Sequence, residues 1–376
     1  MTEQPTRLIV GCMTGTSLDG LDAALVRITG TGLAMRAELL GHHSAPLSDG
    51  LRSTLMSLAS GAAHQPIIFM QAARDLGELY ADGVEHLFSS GLVSPSATID
   101  FVTAHGQTIW HEPKHETGPK SWQLFDPWPI VRRLNVPVCY DLRQADLIAG
   151  GEGAPLTPIA DWVMYRGDAD VIANLGGVLN ATNLHDDPSQ ITGGDLYPCN
   201  LLLDGLCQRY FGKPYDTDGE IAARGKLSPT FVHAISDAIE AACEGSKSLG
   251  REQFSPDWFD SLVNSLGEVT APEDVLHTAA RLVAVQLGGE FREHGIPQER
   301  LILAGGGAKN KTLVKLIEEL GYRDVLRSDD LGIPCEAREA MGFAVLGALS
   351  QDGVSISLPQ VTGANNPGIA GVWAGR

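Results

Sequence analysis

The sequence predicts an α/β protein built from two similar lobes with a cleft between them. Short apolar runs alternate with segments of helical periodicity, which is the pattern of strands and helices packed around shared sheets. The order strand, glycine turn, strand that opens the chain starts again near Asp170. A chain of 376 residues also has the length expected of two domains.

The first part of the chain begins with strands on both sides of a glycine turn. The expected elements are strands over 8–10, 21–28, 34–44 and 99–104 and helices over 51–59 and 67–88. The second helix carries apolar residues near a period of 3.6. The last strand ends at a polar turn, His105-Gly106-Gln107-Thr108.

The second part restarts with a strand and a Gly-Gly turn. The expected elements are strands over 171–173 and 301–304 and helices over 200–211, 230–242, 271–292, 312–320 and 336–349. We place residues 1–140 and 345–376 in the first lobe and 141–344 in the second.

Composition narrows the function classes. The net charge of −19 argues against binding to a nucleic-acid backbone, which needs clustered Lys and Arg. The N-terminal segment lacks the basic and apolar regions of a secretion signal, and no apolar run reaches membrane-spanning length. The six cysteines match no zinc spacing and are typical of reduced thiols. We therefore expect a cytoplasmic protein with small-molecule ligands. For its oligomeric state, a homodimer is one of the alternatives.

Three glycine loops each follow a short apolar run, and they lie at 11–20, 174–180 and 304–310. Glycine lets the backbone approach a ligand closely and adopt φ > 0, so its N–H groups can converge on an anion. None of the loops is a P-loop or a Gly-x-Gly-x-x-Gly fingerprint. A tight turn is the commoner role of one such loop, but three in this order favour phosphate binding.

Acidic residues follow these loops, as phosphoryl transfer with a divalent cation requires. Asp19 and Asp22 follow the first loop, and Asp195 lies between two glycines and a Pro-containing turn. For Asp204 and Asp216, an Asx turn or helix N-cap is an equally good interpretation. The segment 111–115 contains two histidines and a glutamate, but Pro113 favours a solvated loop over a helical metal site.

These residues resemble the anhydro-N-acetylmuramic acid kinase family. The matching motifs span nearly the whole chain in the family's order and include Gly11-x-Met13-x-Gly15-Thr16-Ser17-Leu18-Asp19-Gly20-x-Asp22, His105-Gly106-Gln107-Thr108-Ile109, His111-Glu112-Pro113, Asp141-x-Arg143-x-x-Asp146, Asn174-x-Gly176-Gly177-x-x-Asn180, Gly250-Arg251-Glu252-x-Phe254 and Glu339-Ala340-Met341-x-Phe343-Ala344.

The resemblance implies an actin-like, ribonuclease H-like sugar-kinase fold with ATP in a central cleft. It also implies hydrolytic opening of the 1,6-anhydro ring of 1,6-anhydro-N-acetylmuramic acid, with transfer of phosphate from ATP to O6. This reaction belongs to cell-wall recycling. Asp195 holds the position of the family's general base, and an inverting attack by water needs such a carboxylate.

The remaining site residues follow from the loops and the resemblance together. We expect Mg²⁺ near Asp19 and Glu339. The expected sugar-binding residues are His105, Gln107, Thr108, Arg143 and Asn200. The expected ATP-binding residues are Gly11, Thr14, Gly15, Thr16, Ser17, Asp19, Gly20, Asn174, Gly176, Gly177, Gly305, Gly306, Gly307 and Asn310.

Three departures from the family pattern add bulk at positions expected near the ligand: Leu179, Tyr197 and Phe125. They leave two alternatives to the main hypothesis. One is a kinase of a smaller anhydrosugar such as levoglucosan, and the other is a non-catalytic sugar or nucleotide sensor on the same fold. The presence of Asp195 speaks against a sensor, which needs no general base.

Overall fold

The structure is a computed structural model, and it describes residues 4–15, 18–94, 96–113, 115–243, 249, 253–293 and 300–375. Thr16 and Ser17, expected at the nucleotide, lie outside the described residues, as does the segment Gly250-Arg251-Glu252 of the family motif.

The strands of the described chain include all six whose ranges were expected, although those expected over 34–44 and 99–104 begin two residues later, and several further ones that the sequence did not predict. In chain order they are β1 (Thr6–Thr14), β2 (Gly20–Thr29), β3 (Arg36–Pro46), β4 (Phe101–Ala104), β5 (Gln107–Glu112), β6 (Lys120–Leu124), β7 (Val138–Tyr140), β8 (Val171–Leu175), β9 (Val178–Asn183), β10 (Thr192–Pro198), β11 (Arg300–Ala304), β12 (Asp324–Arg327) and β13 (Val372–Ala374).

The helices confirm the expected ones and add several that the sequence analysis did not predict. In chain order they are α1 (Asp49–Ala59), α2 (Pro66–Ser89), α3 (Trp128–Leu134), α4 (Gln144–Ile148), α5 (Thr157–Tyr165), α6 (Asn200–Phe211), α7 (Pro229–Cys243), α8 (Pro256–Ser265), α9 (Pro272–Glu293), α10 (Lys311–Glu318), α11 (Arg338–Gln351) and α12 (Pro359–Thr362).

The chain divides into two compact units whose bounds differ from the expected lobes. The first comprises Met1–Arg166, His185–Thr192 and Gly332–Arg376, and the second comprises Gly167–Leu184 and Gly193–Leu331. Residues 141–166 and 332–344, expected in the second lobe, therefore belong to the first unit. Helix α5 packs against α11 there, and Arg338 forms a buried ion pair of 2.5 Å with Asp161.

The first unit contains a six-stranded sheet in the order β13-β7-β4-β1-β2-β3. Strands β1, β2 and β3 form an antiparallel meander, whereas β4 and β7 continue the sheet parallel to β1. Helix α2 covers one face with Leu76, Tyr80 and Val84 buried. Helix α11 packs against β1, β2 and β4. A separate hairpin, β5–β6, follows the polar turn at the end of β4.

The second unit repeats this plan with a five-stranded sheet in the order β10-β9-β8-β11-β12. Strand β8 is antiparallel to β9 and parallel to β11, and β11 is parallel to β12. In both units an antiparallel pair of strands, β1–β2 or β8–β9, thus lies beside two strands that continue the sheet in parallel. The repeat confirms the ribonuclease H-like α/β class expected from the sequence. Among the described helices, none has the length and apolar character needed to cross a membrane.

Candidate active site

The second and third glycine loops lie side by side in the second unit. Strands β8 and β11 are parallel neighbours with Asn174 opposite Ala304, so the glycines that follow both strands leave the sheet at one edge. Asn200, at the start of α6, joins this group because its Nδ2 donates to the Leu175 carbonyl at 3.1 Å. Its backbone N–H donates to the Gly176 carbonyl at 3.0 Å.

Two positions of the third loop require glycine. Gly305 has φ = +79°, and a Cβ there would lie 2.5 Å from Asn174 Oδ1. A Cβ on Gly307 would lie 2.7 Å from the Leu175 Cβ. Gly306 and Gly177, in contrast, are exposed. The loops therefore present a bare backbone surface of the kind that accepts phosphates, built on close packing beneath it.

Asp195 lies in β10, five residues before the start of α6. Its Oδ2 accepts a hydrogen bond from the Leu249 N–H at 3.0 Å. Burial raises its pKa, and that hydrogen bond partly opposes the rise. The carboxylate also lines a cavity of about 360 Å³ together with Tyr197, Ser236 and Glu240. A half-buried carboxylate of increased basicity beside a cavity suits a general base.

In the first loop, three residues expected at the nucleotide have structural roles within the first unit. Gly11 is buried in β1, where a Cβ would lie 1.9 Å from the carbonyl oxygen of Ala340 in α11. Gly20 likewise lets β2 approach β3, since a Cβ would lie 2.3 Å from the Ala45 carbonyl oxygen. The Thr14 hydroxyl is buried against Tyr80 and donates to the Gly106 carbonyl. Of the described residues in this loop, Gly15 and Asp19 remain near its tip.

Of the two aspartates in the first motif, the one whose charge acts on Glu339 is Asp22, not the expected Asp19. The Asp19 side chain is 77 % exposed, and its nearest cation is Arg52 at 3.8 Å. Asp22 is half-buried, and Ser44 donates to its Oδ1 at 2.6 Å. Burial raises the pKa of Asp22 and of Glu339, and the negative charge of Asp22 raises that of Glu339 further.

These two carboxylates provide the test of the expected Mg²⁺. The part of the chain that the structure describes contains no group of three or more His, Cys, Asp or Glu placed to hold a metal ion. Kinase Mg²⁺ needs fewer, because one or two carboxylates with waters and substrate phosphates complete its shell. The two carboxylates of Asp22 and Glu339 fit that pattern. Asp19 fits it less well, because its side chain is exposed.

His105 and Arg143 form the centre of the expected sugar site. Arg143 Nε donates to His105 Nε2 at 3.1 Å, and its Nη1 donates to the Gly153 carbonyl at 2.6 Å. Burial and the charge of Arg143 lower the pKa of His105 to about 3, so the imidazole is neutral. Burial also lowers the pKa of Arg143 to about 10, against the opposing charges of Asp146 and Glu339.

The two neighbouring polar residues lie on β5. Gln107 is 1 % exposed, and its Oε1 has no hydrogen-bond partner within the described chain. Thr108 Oγ1 accepts from Gln123 Nε2 at 3.1 Å. The turn expected from the sequence therefore continues into a polar hairpin.

Two polar residues near the third loop bind backbone N–H groups with their side chains. Asn310, expected at the nucleotide, caps α10 because its Oδ1 accepts from the Leu313 N–H at 3.0 Å. Asp216 accepts from the N–H groups of Ile221 and Ala222 at 2.8 and 2.9 Å. The Asp216 side chain makes no N-cap hydrogen bond and instead binds two backbone N–H groups five and six residues further on, whereas N-capping explains Asn310.

The three bulky departures occupy different environments. Leu179 is fully buried in β9, so it belongs to the core and does not narrow a ligand site. Tyr197 lines the cavity next to Asp195. Phe125 lies beside Gly106, since a Cβ on that glycine would lie 2.9 Å from the Phe125 Cβ. The expectation of added bulk near the ligand is therefore wrong for Leu179.

Sequence reasoning missed two residues of this region. The first motif contains both Asp19 and Asp22, and its spacing does not separate the exposed aspartate from the half-buried one. Asp146 is fully buried and accepts from the Gly153 N–H at 2.7 Å and from Thr362 Oγ1 at 2.6 Å. The motif Asp141-x-Arg143-x-x-Asp146 contained the signal, because it places Arg143 at the N-cap of α4 and Asp146 in the first turn of that helix.

Comparison with known proteins assigns the family. A family model described as anhydro-N-acetylmuramic acid kinase matches residues 7–374. The anhydro-N-acetylmuramic acid kinase of Bordetella pertussis is 35 % identical over 98 % of this chain and 96 % of its own length. That of Salinibacter ruber is 35 % identical, with 96 % and 94 % covered. The chain belongs to the anhydro-N-acetylmuramic acid kinase family.

Among solved structures, an activator of 2-hydroxyisocaproyl-CoA dehydratase from Clostridium difficile with bound ADPNP aligns with 92 % of this chain and 95 % of its own. The identity is 12 % and the TM-score 0.46. The family assignment rests on the sequence matches.

Proposed function

We propose that this protein is an ATP-dependent kinase that opens the anhydro ring of 1,6-anhydro-N-acetylmuramic acid with water and phosphorylates O6. The product is N-acetylmuramic acid 6-phosphate. The observation that supports this most directly is Asp195, a partly buried carboxylate of raised pKa that lines a cavity in the second unit. Family membership supports both the sugar and ATP as substrates.

In the proposed reaction Asp195 takes a proton from water, and the water oxygen forms a bond with C1. The bond between C1 and O6 breaks, O6 forms a bond with the γ-phosphorus, and ADP leaves. The hydrogen bond from Leu249 orients one carboxylate oxygen of Asp195. Transfer of phosphate to the departing O6 replaces the second carboxylic acid that an inverting glycosidase uses to protonate its leaving group.

The residues of the first unit would bind and orient the sugar. Arg143 and His105 form a buried pair in which the imidazole is neutral and the guanidinium carries the charge. Mg²⁺ would be held by Glu339 and Asp22, directly or through water, and when bound it neutralises phosphate charge. Gly306 and Gly177 would contact phosphates through their backbones.

The test is transfer of labelled γ-phosphate from ATP to a panel of anhydrosugars. We expect 1,6-anhydro-N-acetylmuramic acid to be the preferred acceptor over levoglucosan. In ¹⁸O-labelled water the label should appear at C1. Label in phosphate without any sugar product would identify simple ATP hydrolysis and contradict the proposal.

A further inference from the structure

The hairpin β5–β6 carries polar side chains on one face and aromatic side chains on the other. Thr108 is the register partner of Gln123, and His111 is the partner of Ser121, so these four residues share what we call the polar face. Trp110 and Trp122 are partners on the opposite face and are about half exposed. Gln144, next to Arg143, donates to the Ser121 carbonyl at 3.0 Å, which ties the hairpin to α4.

The hydrogen bonds of the polar face converge on the Ser121 hydroxyl. It accepts from Gln123 Nε2 at 2.8 Å, and it lies 3.3 Å from the Trp110 carbonyl and 3.0 Å from His111 Nδ1. A hydroxyl has one proton to donate, and a carbonyl only accepts. All three contacts are hydrogen bonds only when Ser121 donates to Trp110 and His111 Nδ1–H donates to Ser121.

This assignment of protons also determines which acceptor atoms of His111 and Gln123 are left without a partner. With Nδ1 protonated, the neutral His111 has a bare lone pair on Nε2. Both protons of the Gln123 amide point to Ser121 and Thr108, so its Oε1 is an acceptor as well. His111 Nε2 and Gln123 Oε1 are buried, and within the described residues neither has a partner. A buried acceptor without a partner destabilises the protein, and a ligand that donates a hydrogen bond to it removes that cost.

We propose that the polar face is a subsite for a hydrogen-bond-donating substituent of the anhydrosugar, a hydroxyl or an amide N–H, with His111 Nε2 and Gln123 Oε1 as its acceptors. The inference rests on the proposed function and deepens it, because it assigns the polarity of one sugar contact. The subsite also excludes the lactyl carboxylate, whose lone pairs would face two acceptors.

The surrounding charges agree with this polarity. Burial and the positive charge of Arg143 lower the pKa of His111 to about 4, so the ring is neutral near pH 7. A carboxylate would need a protonated His111, and Arg143 opposes that protonation. A hydroxyl or an amide N–H needs no change of protonation.

The experiment is a cycle that combines protein variants with substrate analogues. The variants are His111→Phe and Gln123→Met, which remove an acceptor at similar volume. The substrates are 1,6-anhydro-N-acetylmuramic acid, 1,6-anhydro-N-acetylglucosamine, levoglucosan and the monodeoxy forms of levoglucosan. The matched control is His115→Phe, since the His115 ring lies in the same hairpin loop but accepts from the Thr117 N–H at 3.1 Å.

We expect each variant to raise the KM for the sugar about tenfold, the value of one hydrogen bond, with the KM for ATP unchanged. Removing one particular hydroxyl or N–H from the sugar should cost the wild type a similar factor and the variants nothing further. His115→Phe should behave as wild type. In NMR titrations the His111 ring should stay neutral when the sugar binds, with a shift at Nε2.

Three results would each overturn the subsite. The first is that neither variant shows coupling to any group of the sugar. The second is coupling to the lactyl carboxylate, and the third is proton uptake by His111 when the sugar binds. If His111→Phe does not fold, the Gln123→Met cycle and the wild-type titration decide. A wild type inactive on every anhydrosugar would overturn the proposed function and the subsite with it, whereas an active wild type without coupling overturns the subsite alone.

Discussion

Asp195 illustrates how one residue combines a stability cost with a proposed catalytic role. Its carboxylate is removed from water and receives one backbone hydrogen bond, from Leu249. The resulting rise in pKa makes it a better proton acceptor than a solvated aspartate. The same burial penalises the ionised form that catalysis needs, so activity and stability should respond in opposite directions to its removal.

The first prediction concerns turnover. Asp195→Asn keeps the shape of the side chain but cannot accept a proton, and loss of a general base typically costs about 10²–10⁴-fold in rate. We expect kcat to fall by that factor in steady-state assays while the KM for ATP changes little. Asp186→Asn, at an exposed position, is the control and should retain full activity. Turnover near the wild-type value in Asp195→Asn would remove Asp195 from the mechanism.

The second prediction concerns stability against pH. The folded-state pKa of Asp195 is raised above its unfolded value, so its contribution to stability is complete below the unfolded pKa and is lost as pH rises through the raised value. At pH 7 the ionised carboxylate therefore costs stability. Asp195→Asn should melt at a higher temperature than wild type at pH 7, with the difference shrinking toward pH 4. Equal melting temperatures at both pH values would contradict this.

Glycines and capping residues show how far single residues can be assigned from sequence. Their residue types were identified correctly, but a glycine that admits a phosphate and one that admits a helix have the same sequence signal. Gly11 packs closely against α11, whereas Gly306 is exposed and has room for a Cβ. Asn310 similarly satisfies its polar side chain within α10. Only the three-dimensional neighbours separate these cases.

At the scale of elements, periodicity predicted the amphipathic helices and failed for the buried ones. Helix α2 was predicted almost to the residue, because one face is buried and the other is solvated. Helix α5 was missed because seven of its nine residues are buried, which leaves no polar face to mark a period. The hairpin β5–β6 was missed because its alternation is interrupted by an irregularity between Thr108 and Trp110.

The third prediction tests the contact between β1 and α11. A methyl group at position 11 would overlap the Ala340 carbonyl oxygen, so Gly11→Ala must move the strand or the helix, at a typical cost of about 1–3 kcal/mol. Gly50→Ala in α1 is the matched control, since nothing lies within 4 Å of its Cβ position. Chemical denaturation should show a loss of stability for Gly11→Ala only. A lower affinity for ATP at unchanged stability would instead restore Gly11 to the nucleotide site.

The fourth prediction tests Asp146 and Thr362 as positioning residues. Asp146 accepts a hydrogen bond from the Gly153 N–H, and the Gly153 carbonyl in turn accepts one from Arg143. Thr362→Val removes the donor to Asp146 and should cost about 1–3 kcal/mol, because it leaves a buried carboxylate oxygen without its partner. The KM for the sugar should rise several-fold at constant KM for ATP.

The control for this pair is Thr54→Val, in which the hydroxyl lost belongs to an exposed turn of α1. It should leave both the stability and the KM for the sugar near their wild-type values. A loss of stability in Thr362→Val without any change in the KM for the sugar would reduce Asp146 to a structural role.

At the scale of the whole molecule, the repeated order of strands was visible in the sequence, but the division into units was not. Two strand–glycine–strand segments predicted two sheets, and the sheets share one topology. Helix α5 belongs to the first unit, where its Asp161 forms an ion pair with Arg338. These two partners are 177 residues apart in sequence. No local pattern reports such a contact, so residues 141–166 were placed in the wrong half.

The fifth prediction follows from total charge. A protein of net charge −19 and a nucleotide polyphosphate repel each other, and Asp22 with Glu339 add local negative charge in the first unit. A divalent cation reverses that local effect, because the carboxylates that repel free ATP attract its Mg²⁺ complex. Calorimetry should therefore show much weaker ATP binding in EDTA than in Mg²⁺ at equal ionic strength.

Glu339→Gln separates this explanation from a general effect of charge. The variant loses a carboxylate, so it should bind ATP more tightly than wild type in EDTA and less tightly in Mg²⁺. Asp186→Asn removes the same unit of charge at an exposed position and should follow wild type under both conditions, since solvent and salt screen a distant charge. Equal affinities of the wild type with and without Mg²⁺ would contradict the metal role of Glu339 and Asp22. If Glu339→Gln lowers the affinity for ATP equally in EDTA and in Mg²⁺, the residue would instead bind the nucleotide or the sugar itself.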